Sequence, residues 1–397
     1  MNCLHFGTCG GCRCEKSADG SQQPLPYARE LKEKEERVRT LLSAYDVGEW
    51  HSIIPSPEEW QYRNKMECAA GVWDEKLVLG LRAAGRFDQI IDLQTCFLMS
   101  AECFEVLKRA RQWANTHGLN GYHRRRHEGD IRYLVLREGK NTGQRMAVLL
   151  MTTSAAQKCQ ALQAPEALGS LQELRDALFP LLTTCWLGIT DDIGDNARAE
   201  DMRLLWGSGI IEEKLGAITY RISPYSFFQT NTRGTEKLYG LLQDWGRKIG
   251  GALVDLYCGS GGITLALAES FDRVIGIDTN KSAIEDAKSN AQLNTIQNAE
   301  FVCEDAQEFL KKLPGSKLSI QLSAMVVDPP RPGLHPKALQ HLIDMNPARL
   351  AYVSCNPESL ARDLQGLIPL YRIHSAQPID LFPHTAHVET LVLLEHR

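Results

Sequence analysis

No stretch of about 18 consecutive apolar residues occurs in this 397-residue chain, so no membrane-spanning helix is expected. The first residues lack the basic and apolar regions of a secretory signal, and Met1-Asn2-Cys3 runs directly into a cysteine cluster. There is no internal repeat and no low-complexity tract. Excess positive charge is missing too: Lys and Arg number 44 against 49 Asp and Glu, a formal charge of -5, so the chain as a whole does not announce a polyanion partner. Only a local patch could. The one dense basic cluster is Arg124-Arg125-Arg126-His127, with His123 before it and Arg132 after, and a solvated loop is its simplest explanation. Lys65 could also reach a polyanion, although an exposed edge lysine is commoner. These absences predict a cytoplasmic, non-membrane protein. In a reducing cytosol the twelve cysteines point to metal binding, chemistry or burial instead of disulfides.

What is present begins with Cys3-x5-Cys9-x2-Cys12, whose intervening Gly7, Gly10 and Gly11 allow a loop to wrap round one metal centre. Three thiolates leave a tetrahedral site one ligand short. Cys14 is too near Cys12 for unstrained joint ligation, and Cys96, where an apolar run gives way to a loop, is the better fourth ligand. Zinc and an iron-sulfur cluster both accept such a set.

The length allows two domains and a small appendage. The pattern predicts a cluster loop over 1–16, a linking amphipathic helix over 17–46, a central α+β domain over 47–223 and a C-terminal domain over 224–397. In the central region, short strands are expected at 62–71, 77–81, 90–93, 131–137, 146–152, 185–191 and 218–222, mainly antiparallel, with helices at 100–118 and 168–182. From 252 onward strands and helices alternate, which specifies an α/β fold with a doubly wound, Rossmann-like parallel sheet and an antiparallel element at its end. Ligands in such sheets bind at the carboxyl ends of the strands.

Val254-Asp255-Leu256-Tyr257-Cys258-Gly259-Ser260-Gly261-Gly262 reads as strand, glycine-rich turn and helix. Against G-x-G-x-x-G the third glycine would fall at Thr264, so the dinucleotide fingerprint is incomplete. Asp278 ends the next strand at the distance expected of a ribose partner. Adenosine without pyrophosphate, with acids near amine and ribose, describes S-adenosylmethionine. Asp328-Pro329-Pro330-Arg331 places a rigidly held acid after the fourth strand, and Arg331 stands where an amine methyltransferase usually has an aromatic residue. Ala351-Tyr352-Val353-Ser354-Cys355-Asn356-Pro357 brings a thiol to a sheet rim. A thiolate added to C6 of a pyrimidine makes C5 nucleophilic, and a base must then remove the C5 proton. In Phe382-Pro383-His384-Thr385-Ala386-His387-Val388-Glu389, Glu389 is the favoured base, with His384 and His387 as competitors.

Together with Phe228-Gln229-Thr230-Asn231, these motifs resemble those of bacterial RNA uracil-C5 methyltransferases that carry an iron-sulfur cluster, over nearly the whole chain. The resemblance implies a [4Fe-4S] cluster on Cys3, Cys9, Cys12 and Cys96, an RNA-binding role for the central domain over 47–223 and an S-adenosylmethionine-dependent methyltransferase domain over 224–397. It also implies S-adenosylmethionine contacts from Gln229, Tyr257, Gly262, Asp278, Asp305 and Asp328, a nucleophile at Cys355 and a base at Glu389. Relatives commonly have Glu at the position of Asp278, and often another residue at that of Gly262. Some relatives carry a β-barrel RNA-binding domain ahead of the cluster. Cys3 stands too early for one, so the likeness is to the short ribosomal form, which implies 23S rRNA, a flipped loop uridine and a monomer. The same chemistry on tRNA, a cluster-containing dinucleotide-dependent redox protein and a non-catalytic RNA-binding module are the competing expectations.

Overall fold

The computed structural model describes residues 3–17, 20–159, 170–314 and 322–397. The chain forms two compact units. One contains Met1–Leu25, Glu58–Lys214 and Ile222–Tyr225; the other contains Pro26–Pro57, Leu215–Arg221 and Ser226–Arg397. These limits differ from the expected boundaries at 46/47 and 223/224. The helix Tyr27–Leu41 and the strand Val47–Trp50 belong to the C-terminal unit and do not form a linker or part of the central region.

The first unit is built on a seven-stranded sheet in the order Asp201–Trp206, Thr184–Ile189, Arg145–Met151, Ile131–Glu138, Lys65–Trp73, Lys76–Ala83, Arg86–Asp92. Its pairs are antiparallel except one: Arg145–Met151 and Thr184–Ile189 run parallel, with Thr153–Lys158 and Leu171–Leu178 as helices between them. The expected start of the latter helix at 168 lies outside the described residues. Along Ile131–Glu138, Ile131, Leu134 and Leu136 enter the core beneath Ala101–Thr116 and Leu171–Leu178. Ser100 caps the first of these helices by accepting from the Cys103 backbone N–H.

The second unit is built on an eight-stranded sheet in the order Ala299–Cys303, Arg273–Asp278, Ala252–Leu256, Leu322–Val327, Arg349–Ser354, Glu389–His396, Tyr371–Ile379, Val47–Trp50. The five from Ala299–Cys303 to Arg349–Ser354 are parallel, as the alternation predicts. The strand Glu389–His396 runs antiparallel to both its neighbours, with Ser354 opposite Thr390. Apolar side chains pack both faces of this sheet: Leu253, Val326 and Val353 belong to one cluster, Val254, Val327 and Tyr352 to another.

A buried ionic set ties the helix Tyr27–Leu41 to the segment before the last strand. Lys34 Nζ lies 2.6 Å from Glu30 Oε1 and 2.8 Å from Asp380 Oδ1, and all three side chains are essentially inaccessible. Lys34 also donates to the Phe382 carbonyl, and Glu30 accepts from the His384 and Thr385 backbone N–H groups. Replacing Lys34 strands two buried carboxylates. We expect Lys34→Met to lower the unfolding free energy by about 3–5 kcal/mol. Denaturant titration checks this, and a change below about 1 kcal/mol would show that the set carries little of the fold.

Candidate active site

Cys355 sits in the turn between the strand Arg349–Ser354 and the helix Pro357–Leu367. Asn356 caps that helix by accepting from the Glu358 backbone N–H, and Pro357 occupies its first turn. Glu389 opens the strand whose Thr390 faces Ser354, so thiol and carboxyl reach the same end of the sheet. Asp328 follows Val327, which pairs with Tyr352 on the same central strand.

The electrostatics link these groups. Burial pushes the Cys355 thiol up to about 11, the negative charges of Glu389 and Asp328 push in the same direction, and Arg331 opposes them. Burial, reinforced by Asp328, holds the Glu389 carboxyl well above the ordinary carboxylate range. Its Oε1 is buried without a hydrogen-bond partner. Burial also raises Asp328 to about 7. Of the competing histidines, buried His384 has Nδ1 3.8 Å from Glu30, and the His387 ring lies 2.8 Å from Nη2 of Arg331, the cation that acts on the thiol. Glu389 is therefore the C-terminal candidate coupled directly to the thiol.

Beside this group, Gln229, Tyr257, Gly262 and Asp328 line a narrow cleft of about 30 Å³. Gln229 Nε2 donates to Asp328 Oδ2 at 3.3 Å. Asp278 accepts from Gly259 and Asn280 backbone N–H groups, and Asp305 caps the helix Ala306–Lys312. Neither lines the cleft, although both carboxylates act on Tyr257, whose hydroxyl burial raises to about 12. The expected contacts thus divide into four lining residues and two acids whose charge reaches Tyr257.

The expectations had not singled out Asp255, Phe227 and Tyr239, which also line the cleft. Asp255 is buried at about 7, with Oδ2 accepting from Thr264 Oγ1 at 2.6 Å and Oδ1 without a partner. A lone acid in an apolar strand was its sequence signal.

In the first unit, the cysteine loop is anchored by Gly10 donating to the Arg82 carbonyl and by Gln94 donating to His5 Nε2. This brings Cys96 into the same neighbourhood as the N-terminal thiols. Burial dominates the rise of the Cys12 thiol, and Cys96, Cys9, Cys14 and Cys3 all add to it. Cys14, expected to stand apart, shares the neighbourhood. Among the described residues, however, no three His, Cys, Asp or Glu side chains are spaced to hold a metal ion, so the expected closed ligand set is not seen.

The family described as tRNA (Uracil-5-)-methyltransferase matches residues 192–397. Uncharacterized RNA methyltransferases are similar over the whole chain. The one from Nitratidesulfovibrio vulgaris is 37% identical, covering 100% of this chain and 82% of its own. That from Caldanaerobacter subterraneus subsp. tengcongensis is 34% identical, covering 99% and 84%. The chain belongs to the RNA uracil-5-methyltransferase family. The Pyrococcus abyssi tRNA (uracil-54, C5)-methyltransferase, solved with S-adenosyl-L-homocysteine, is 29% identical, covers 93% of this chain and 84% of its own, and superposes with a TM-score of 0.75. The protein is accordingly an S-adenosylmethionine-dependent RNA methyltransferase, and the redox and non-catalytic alternatives fall. No helix among the described residues is long and apolar enough to cross a membrane.

A thiol held near 11 is slow to alkylate at neutral pH. We expect iodoacetamide labelling of Cys355 in the free protein to accelerate as pH rises from 7 to 10, because only the thiolate reacts. Glu389→Gln should shift the profile to lower pH by removing a negative neighbour, and Arg331→Met to higher pH. Peptide mass spectrometry reads both, and coincident profiles would contradict the electrostatic reading.

Proposed function

We propose that this protein methylates C5 of a uridine in 23S rRNA, with Cys355 as nucleophile and Glu389 as base. The observation that carries the reading is the convergence of a thiol, a buried carboxyl with an unpartnered oxygen and Asp328 on one sheet rim. S-adenosylmethionine, when bound, supplies a methyl group from its sulfonium. The Cys355 thiolate adds to C6 of the uracil, and the displaced electron pair makes C5 the nucleophile. Once C5 carries the methyl group, Glu389 removes the C5 proton. Cleavage of the C6–S bond then restores the ring double bond and the thiolate.

Gln229, Tyr257, Gly262, Asp278, Asp305 and Asp328 are the proposed cofactor contacts; Gln229, Tyr257, Gly262 and Asp328 line the cleft, and the charges of Asp278 and Asp305 act on Tyr257. Entry of a nucleoside requires the cleft to widen, and Phe227, one of its lining residues, is 65% exposed. The target base reaches Cys355 flipped out of any stack, which favours a loop uridine. Cys355→Ala is expected to abolish methylation of the RNA. Glu389→Gln should transfer the methyl group yet retain RNA covalently, seen as a denaturant-resistant band. RNA containing 5-fluorouridine should form the same adduct with the unaltered protein, and its failure to do so would refute covalent catalysis.

The thiols of Cys3, Cys9, Cys12 and Cys96 have the donor chemistry of a [4Fe-4S] site, and their shared, partly buried neighbourhood supports that assignment. Methyl transfer needs no electron, so the cluster's role would be structural or in RNA binding. Anaerobic purification should yield about four iron atoms per chain. Stoichiometric zinc would overturn the assignment.

The tRNA reading is favoured by the substrate named for the Pyrococcus abyssi enzyme. The ribosomal reading rests on the N-terminal cysteine loop and its resemblance to that of the family members that carry an iron-sulfur cluster. Mapping 5-methyluridine in rRNA and tRNA, with and without the protein, decides between them.

A further inference from the structure

The first unit contains a cavity of about 540 Å³ on the sheet face opposite its helices, made entirely by that unit. Its walls include Trp73, Tyr122, Tyr133, Arg82, Arg124 and Arg132. A bulge in Ile131–Glu138 builds it. Ile131 pairs with Met151 and Tyr133 with Leu150, leaving Arg132 as the extra residue. Regular alternation would send Arg132 into the core with Leu134. The bulge instead lets Ile131 and Leu134 fill the core while Arg132 and Tyr133 both line the cavity.

Arg132 is 4% exposed, and its guanidinium lies 4.2 Å from the centre of the Tyr122 ring. Its Nη2 donates to the Gly194 carbonyl at 2.7 Å, while Nε and Nη1 are buried without a hydrogen-bond partner among the described residues. Asp195 draws together Arg82, Arg124 and the Tyr133 hydroxyl, and Asp88 lies 3.5 Å from Arg125. Arg86 completes a lining in which guanidiniums outnumber these two carboxylates. Trp73, 66% exposed, presents a large ring at the edge. Flat aromatic faces, a partly unpaired guanidinium and surplus positive charge suit a planar, hydrogen-bond-accepting base on an anionic backbone. The volume is that of a small-ligand site.

We propose that this cavity holds an unpaired nucleotide of the RNA substrate other than the uridine that is methylated. The inference rests on RNA being the substrate and gives the central unit a recognition role separate from the chemistry. The face that looked in sequence like a solvated run of arginines is a binding wall.

The test uses the full-length protein and an RNA that it methylates, substituted with a photoreactive uridine. Irradiation should cross-link the RNA to peptides containing Trp73, Tyr122 or Tyr133. Trp73→Ala and Arg125→Glu alter exposed side chains and leave the core untouched. Each should weaken RNA binding about tenfold at about 0.1 M salt, with the methylation rate at saturating RNA within about twofold of the parent. Arg125→Glu alone should also flatten the salt dependence of binding. Unchanged affinity in both variants, or cross-links confined to other peptides while methylation proceeds, overturns the nucleotide site and leaves the proposed chemistry standing. Failure of the unaltered protein to methylate any RNA overturns the chemistry and this inference with it.

Discussion

The antiparallel insertion of Glu389–His396 between two strands of the other direction is the constraint on which the rim chemistry depends. A parallel fold of Rossmann type delivers successive strand ends to one rim, which accounts for Asp255, Asp278, Asp328 and Cys355. A strand running the other way presents its beginning there, so Glu389 arrives at the rim from the chain's last segment. Register fixes the meeting, because a one-residue slip would turn the side chains of the strand to the opposite faces. The approach to that strand is equally constrained. Lys34, Glu30 and Asp380 are buried together, and Glu30 holds the His384 and Thr385 backbone. A buried ionic set is weak evidence of net stability. What it fixes here is the path of the segment that ends at the base.

Electrostatic cost explains how such a rim can be both crowded and ready. Asp255 and Asp328 are held near 7, Glu389 is held well above the ordinary carboxylate range, and Cys355 is held near 11. In each case burial is the leading cause, and for Asp255, Glu389 and Cys355 neighbouring carboxylates add to it. In the free protein each group is therefore shifted toward its neutral form. A ligand carrying positive charge among them would lower the cost of ionisation for every group at once, and a sulfonium is such a ligand. Arg331 pushes Cys355 in that direction permanently. Its presence after Asp-Pro-Pro, where an amine methyltransferase usually has an aromatic residue, thus has an electrostatic rationale suited to a thiolate.

Much of this was legible because parallel strands buried on both faces are written as apolar runs. Leu253, Val254, Val326 and Val327 announce their strands, and the acids that follow them mark the rim. Val47–Trp50 was not legible: it is short and half-exposed, and its partner Tyr371–Ile379 lies at the far end of the chain. Asp201–Trp206 is an edge strand with few buried positions, so its pattern carried little signal. The parallel pairing of Arg145–Met151 with Thr184–Ile189 depends on a crossover that no local residue specifies. Thr264 was legible only as a defect in a glycine fingerprint. Its hydroxyl donates to Asp255, so the residue that excludes a dinucleotide pattern also satisfies a buried acid.

Backbone strain gives an independent reason to regard Tyr257 as more than a turn residue. Gly259 and Gly261 adopt positive φ angles of 53° and 86° without a steric penalty, and Tyr257 takes 68° despite carrying a Cβ. That conformation costs a non-glycine residue on the order of 1–3 kcal/mol. A glycine at 257 would remove the strain, but it would also remove the ring that lines the cleft. A fold that bears this cost beside two glycines is retaining the side chain for what it touches. The strain therefore supports the proposed cofactor role of Tyr257 on grounds separate from the sequence motif.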